Sequence, residues 1–157
     1  MTVDKRALVK KIIAQLDAEL AAYARSARSA HEEATHEQSK AENKYDTRGL
    51  EASYLARGQS RQAAETEEAR RQFESLSLRA FGPDDPIDLG ALIEIEMNGA
   101  TIRYFIGPRS GGMEVQLGND EIIVITPQSP LGAKLHGRKR GESWTEAGGN
   151  RRIASVF

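Results

Sequence analysis

The segment FGPDDPID, residues 81–88, places two prolines and three aspartates within eight positions. Proline lacks a backbone donor and pushes the residue before it out of helical geometry, so a helix arriving at Phe81 must stop there. The same segment divides two kinds of sequence. All five prolines lie at or beyond Pro83, and twelve of the fourteen glycines lie at or beyond Gly82. Their scarcity before residue 81 favours long helices, and their abundance afterwards favours short strands joined by tight turns.

Upstream, Ile12, Leu16, Leu20, Tyr23, Ala27, Ala30 and Ala34 recur in steps of four and three that alternate from Leu16 on, the seam of a coiled coil. A helix from Asp4 to Lys40 is roughly 50 Å long at 1.5 Å per residue, too long for the interior of so small a protein, and is expected to project. The periodicity stops between Asn43 and Gly49, where Asn43, Asp46, Thr47 and Gly49 supply turn chemistry. A second helix is expected from Leu50 to Ala80, with Leu50, Tyr54, Arg61, Ala64, Ala69, Phe73 and Leu76 as its seam. The product is an antiparallel helical hairpin with its tip near residue 47. The alanines toward the tip allow close approach of the helices, although plain helix propensity accounts for them equally well.

Downstream, strands are expected at Leu92–Met97, Ile102–Ile106, Met113–Leu117, Ile122–Ile125, Ser143–Glu146 and Arg152–Val156, with hairpin turns at Asn98-Gly99 and Asn119-Asp120. Ser129-Pro130 reads as the start of a short helix, serine as N-cap and proline in the first position. The fold class is therefore α+β, a helical hairpin over 1–81, a linker over 82–88 and a β-rich domain over 89–157.

Composition narrows the function. The chain has 157 residues, 29% charged and 39% hydrophobic, with a formal net charge of -1. No bulk electrostatic pull toward nucleic acid or anionic membrane exists, so a function resting on phosphate binding alone is disfavoured. Cysteine is absent, which removes disulfides, thiolate zinc sites and cysteine nucleophiles and points to the cytosol. The first twenty residues mix Lys5, Arg6, Lys10 and Lys11 with isolated apolar residues, unlike a signal peptide or a membrane span.

The stretch TPQSPLGAKLHGRKRGESW, Thr126 to Trp144, resembles the C-terminal signature of the GreA/GreB family of bacterial transcription elongation factors. In that signature Ser-Pro opens a short helix, a small residue and a leucine follow, and Gly-x-x-x-Gly precedes the next strand. Ser129, Pro130, Leu135, Gly137 and Gly141 match in place. Tyr104 to Gly107 and Gly111-Gly112 resemble the preceding strand and loop, and with the helical hairpin the resemblance spans nearly the whole chain. A Ser-Pro-x-Gly string alone is a weak signal, satisfied by any capped helix with a glycine turn; the order of parts is the specific element.

The resemblance implies an FKBP-like C-terminal domain that docks on RNA polymerase at the rim of the secondary channel, using Ser129, Pro130, Leu135, Gly137 and Gly141. The hairpin would enter that channel and assist cleavage of backtracked transcripts. Catalytic residues and cofactors of its own are not implied. The magnesium would belong to the polymerase, nucleic acid would be met only within the polymerase complex, and no membrane is involved. In the family two tip carboxylates help hold the second magnesium ion, and one or two protein carboxylates suffice for such a role. With Ala52 and Tyr54 placed on the family's Ala and Tyr, Thr47 and Leu50 stand at the two acid positions, and neither is a carboxylate. Asp46 and Glu51 are the nearest acids, five residues apart rather than three. A Gre-like factor that binds the channel and modulates or inhibits without cleavage is the alternative.

Other features read blandly. The segment His31 to Glu51 is acidic, with Glu32, Glu33, Glu37, Glu42, Asp46 and Glu51 against Lys40, Lys44 and Arg48, as solvated helix ends often are. His31 and His36 are five apart, which turns their rings about 140° from one another on a helix and argues against zinc. Arg138, Lys139 and Arg140 form too small a basic group for nucleic acid and suit either a docking turn or a solvated loop. Trp144 reads as strand packing. A prolyl isomerase, the remaining enzymatic class, would need an aromatic pocket for which this chain has few residues.

Overall fold

A computed structural model describes residues 3–40 and 48–157, with side chains throughout except at 30, 34–40 and 48–57. The elements are α1 (Lys5–Lys40), α2 (Arg48–Glu74), β1 (Leu92–Met97), β2 (Ala100–Ile106), β3 (Glu114–Leu117), β4 (Asp120–Ile125), α3 (Pro130–Leu135), β5 (Ser143–Glu146) and β6 (Gly149–Val156). This is the α+β succession expected, long helices first and strands after residue 90. Two compact units result, one built from residues up to Ile13 with Gln72–Phe157, the other from Ala14–Arg71. The division thus falls inside the helices and not at residues 82–88. The reason is apolar burial: Leu8, Ile12 and Phe73, at most 1% exposed, belong with the sheet.

The unit Ala14–Arg71 is a helical pair. Leu16 and Ala69 are buried, and Leu20, Tyr23 and Ala27 continue the α1 seam at half-burial. Asp17 accepts from the Arg70 guanidinium at 2.5 Å, which sets the beginning of α1 beside the end of α2 and makes the pair antiparallel. The α2 seam differs from expectation: Arg61 and Ala64 are exposed, whereas Ala63 and Thr66 are half-buried. Spacing three back from Ala69 selects Thr66 and Ala63; the apolar pattern of α2 is too sparse to set the phase of the stripe by itself.

The sheet unit begins with α1, capped by Asp4, whose Oδ1 accepts from Arg6 N and Ala7 N at 3.0 and 3.2 Å. α2 ends at Glu74 instead of continuing to Ala80. Beyond it the chain runs irregularly because Phe81 and Ile87, 7% and 1% exposed, must reach the core, and that burial outweighs helix propensity. The six-stranded sheet has the order β3-β4-β2-β1-β6-β5. β2 and β4 are parallel and every other pair is antiparallel. Asn98-Gly99 forms the β1–β2 turn, both residues at positive φ (53° and 78°). The β3–β4 turn is Gly118-Asn119, one residue earlier than expected: Gly118 takes the positive φ of 64°, and Asp120 begins β4.

The two faces of the sheet are distinct. One carries Ile93, Ile95, Ile106 and Ile153, which pack with Phe81, Ile87, Ile125 and Leu135 into the main core. On the other, Leu92, Phe105, Val115, Ile122 and Val124 are buried, and the Phe73 ring comes so close to Gly107 that a Cβ there would lie 2.9 Å from it and 3.0 Å from Val124 Cγ1. Further along that second face Arg103 bridges Glu94 at 3.0 Å and Asp120 at 3.1 Å. Arg152 pairs with Glu96 at 3.2 Å.

Candidate functional site

α3 is built by close backbone approach. Ser129 Oγ accepts from Gly132 N at 3.1 Å and donates to Thr126 O at 2.7 Å, so one hydroxyl caps the helix and closes the preceding turn. Pro130 occupies the first helical turn, where no donor is needed. Gly132 has no room for a side chain: a Cβ there would stand 1.8 Å from Thr126 O. Leu135 is wholly buried and holds α3 on the sheet. After the helix, Gly137 N donates to Ile87 O at 2.9 Å and Ile87 N donates to Arg138 O at 2.7 Å, tying the turn to the segment before β1. Gly137 and Gly141 adopt φ of 82° and 90°, which glycine accepts without strain.

The residues expected to dock therefore separate by exposure. Pro130, Gly137 and Gly141 are exposed, Ser129 is half-buried, and Leu135, with no surface at all, supports α3 without meeting a partner directly. What α3 presents outward is a groove of about 300 Å³ between it and the first face of the sheet. Ile95, Met97, Ile102 and Tyr104 form its floor and Pro130 and Leu131 its wall, while Lys134, Glu146 and Arg151 ring the mouth. The Glu146 carboxylate is clasped from both sides, one oxygen by Lys134 Nζ and the other by an Arg151 guanidinium nitrogen. Lys134 is 40% exposed and Arg151 24%. Next to the mouth the Arg138 guanidinium lies over the Trp144 ring, 5.0 Å from its centre, and donates through Nε to Lys134 O at 2.9 Å.

No family model matches the chain, and no curated protein matches it. Solved structures do. The chain is similar to Gfh1. Against GreA factor homolog 1 (Gfh1) of Thermus thermophilus it is 20% identical, with 92% of this chain and 94% of that one covered, at a TM-score of 0.36. Against Thermus aquaticus Gfh1 the identity is 21%, the coverage 91% and 92%, and the TM-score 0.36. A further structure of the transcription factor Gfh1 is 22% identical, covers 94% of each chain and also scores 0.36. At that score the likeness does not carry a function across.

Of the expected tip carboxylates, Asp46 lies outside the described residues, and Glu51 falls in α2 at a position whose side chain lies outside them. Thr47 likewise lies outside the described residues, and so does the side chain of Leu50. His31 is exposed on α1, while the side chain of His36 is outside the described set. Among the described residues no group of three His, Asp or Glu side chains is placed to hold a metal, and no helix is long and apolar enough to cross a membrane.

The groove has no counterpart among the sequence expectations. Alternation in β1 puts Ile95 and Met97 on one face, and the hairpin at Asn98-Gly99 puts Ile102 and Tyr104 beside them. Pairing of β1 with β6, which brings Arg151 next to Met97, leaves no short-range mark in the sequence. The basic triplet is conspicuous in the sequence, whereas Lys134 and Arg151, which stand at the mouth, are not.

Proposed function

We propose that this chain is an accessory transcription factor of the Gre type, which binds RNA polymerase through the sheet unit, presents the end of its helical pair to the polymerase secondary channel and assists cleavage of backtracked transcripts. The observation that carries the reading is how the signature residues are used. Ser129 caps α3, Gly132 meets the Thr126 carbonyl, Leu135 anchors the helix, and Gly137 and Gly141 make the turn to β5. A sheet unit holding that turn, after a pair of long helices, has the parts of a Gre factor in order. The groove beside α3 is the surface such a unit offers a partner.

In this reading the chain has no active site of its own, acts in the bacterial cytoplasm and meets nucleic acid only inside the polymerase complex. Asp46 and Glu51 would offer carboxylate oxygens to the polymerase's magnesium, the ion that stabilises charge during hydrolysis of the transcript. The test is RNA cleavage by stalled, backtracked polymerase with and without the protein. Cleavage above background that Asp46→Asn abolishes, with polymerase binding retained, is the expected outcome. A second reading, a factor that binds the channel and modulates or inhibits without cleavage, is favoured by Thr47 and Leu50 at the two positions where the family carries acids. Binding without cleavage across a magnesium titration selects it.

A further inference from the structure

The groove between α3 and the sheet has a composition that specifies an occupant. Its floor and wall are apolar, and its volume of about 300 Å³ lies at the lower edge of the range for small-molecule clefts. That suits one or two inserted apolar side chains better than a cofactor. The surroundings are cationic. Lys134 and Arg151 stand at the mouth and Arg138, Lys139 and Arg140 follow on the adjoining turn; the described acids near them are Glu146, Glu142, Asp88, which lies 3.3 Å from His136, and Asp85, which pairs with Arg79 and also feels the Lys139 charge. Glu142 is engaged within the turn, accepting from Lys139 N. Glu146 neutralises Lys134 and Arg151 only in part, because one carboxylate is shared between two full positive charges.

We infer that the groove is an anchor site for an acidic segment of a partner protein that inserts a large apolar side chain, with Glu146 holding Lys134 and Arg151 until carboxylates of the partner displace it. This rests on the polymerase-docking reading and names the chemistry of the surface that docks. Apolar anchors seated in pockets dominate interface energetics, while charges at the rim set approach and partner choice. Nucleic acid fits poorly: phosphates would meet the Glu146 carboxylate at the centre of the cations, and few contacts are available to neutralise them. Glu146 thereby acts as an internal competitor. It keeps the two cations ordered in the free protein and must be released on binding, which weakens attachment to any partner short of acidic residues.

The experiment measures binding of the full chain to bacterial RNA polymerase core enzyme at low and high salt. Four proteins are compared: wild type, Lys134→Glu, Glu146→Gln and Met97→Ala. Lys134→Glu is expected to weaken binding about tenfold at low salt, with the difference shrinking as salt screens the rim. Glu146→Gln is expected to tighten binding severalfold, because the competing charge is gone while a polar group of the same size remains. A purely structural Glu146 would give the opposite sign. Met97→Ala is expected to weaken binding at both salt concentrations alike, as loss of apolar contact should. Thermal melts of each variant exclude unfolding as the cause. If wild type binds polymerase and none of the three variants changes its affinity, the inference falls and the docking reading stands. If wild type fails to bind at low salt, both fall. If the substitutions change affinity for single-stranded RNA and leave polymerase binding untouched, the groove serves nucleic acid and the inference is overturned.

Discussion

Replacing Gly132 by alanine tests the construction of α3 most directly. The added Cβ would sit 1.8 Å from Thr126 O, 2.7 Å from Thr126 C and 2.8 Å from Ser129 Oγ. A Cβ does not approach another non-bonded heavy atom within about 3 Å, so α3 must withdraw by about 1.2 Å from Thr126 O, and the obstacle is backbone that cannot rotate away. The displacement lifts Leu135, now fully buried, from its seat and stretches the 3.1 Å cap from Gly132 N to Ser129 Oγ. Overpacking of this kind costs about 1–3 kcal/mol, and partial loss of a cap adds about 1 kcal/mol. Alanine's better helix propensity returns less than about 1 kcal/mol. A net loss of about 3 kcal/mol lowers the melting temperature of a chain this size by roughly 6–12 °C. Thermal denaturation followed by Trp144 fluorescence reads the sheet unit, with Ala133→Ser on the exposed side of the helix as a control expected to stay within about 0.5 kcal/mol. A Gly132→Ala protein melting within about 2 °C of wild type, well inside that expected shift, would refute the close-approach account of α3.

Three further outcomes follow from other parts of the structure. Gly58 lies inside α2 with open space around the point where a Cβ would stand, nothing coming within 4 Å of it, so Gly58→Ala should stabilise by about 0.5–1 kcal/mol in a urea titration. Lys5 has a pKa lowered to about 8, first by burial and then by the Arg79 charge. The unfolded chain therefore holds this proton more tightly between about pH 8 and 10.5, the Lys5 contribution to stability rises with pH across that window, and the rise should vanish from the difference between wild-type and Lys5→Met melts. Arg103→Met leaves Glu94 and Asp120, each less than one-fifth exposed, without their shared cation, and should cost about 1–3 kcal/mol in a urea titration.

Much of the architecture is legible because it is written in local chemistry. The proline and glycine boundary locates the change from helices to strands, Ser129-Pro130 marks the start of α3, and strand-like composition finds every strand to within a few residues. Expectation and structure part where distant packing decides. α2 stops at Glu74 because Phe81 and Ile87 are needed in the core, and nothing in residues 75–80 announces that demand. Gly118-Asn119, not Asn119-Asp120, makes the β3–β4 turn because a glycine is available one residue earlier to take positive φ. At the candidate site, the residues that stand out in sequence are those that build the scaffold: Ser129, Gly137 and Gly141 by backbone geometry and Leu135 by burial. The side chains that give the groove its character, Met97, Tyr104, Lys134, Glu146 and Arg151, come from separate elements joined by the sheet order and by α3.

That sheet order also fixes when the molecule can fold during its synthesis. β6 lies between β1 and β5, and Ile93 pairs with Val156, so the centre of the sheet stays open until almost the whole described chain has left the ribosome. Lys5, near the beginning, donates to Gly90 O and Phe157 O at 3.0 Å, and Leu8 and Ile12 acquire their cover only with the sheet in place. Non-local pairings of this kind close late and slowly, leaving apolar surface uncovered meanwhile. The nascent chain thus passes through an interval in which the end of α1 that carries Leu8 and Ile12 has no cover, and aggregation competes with folding most strongly before β6 arrives.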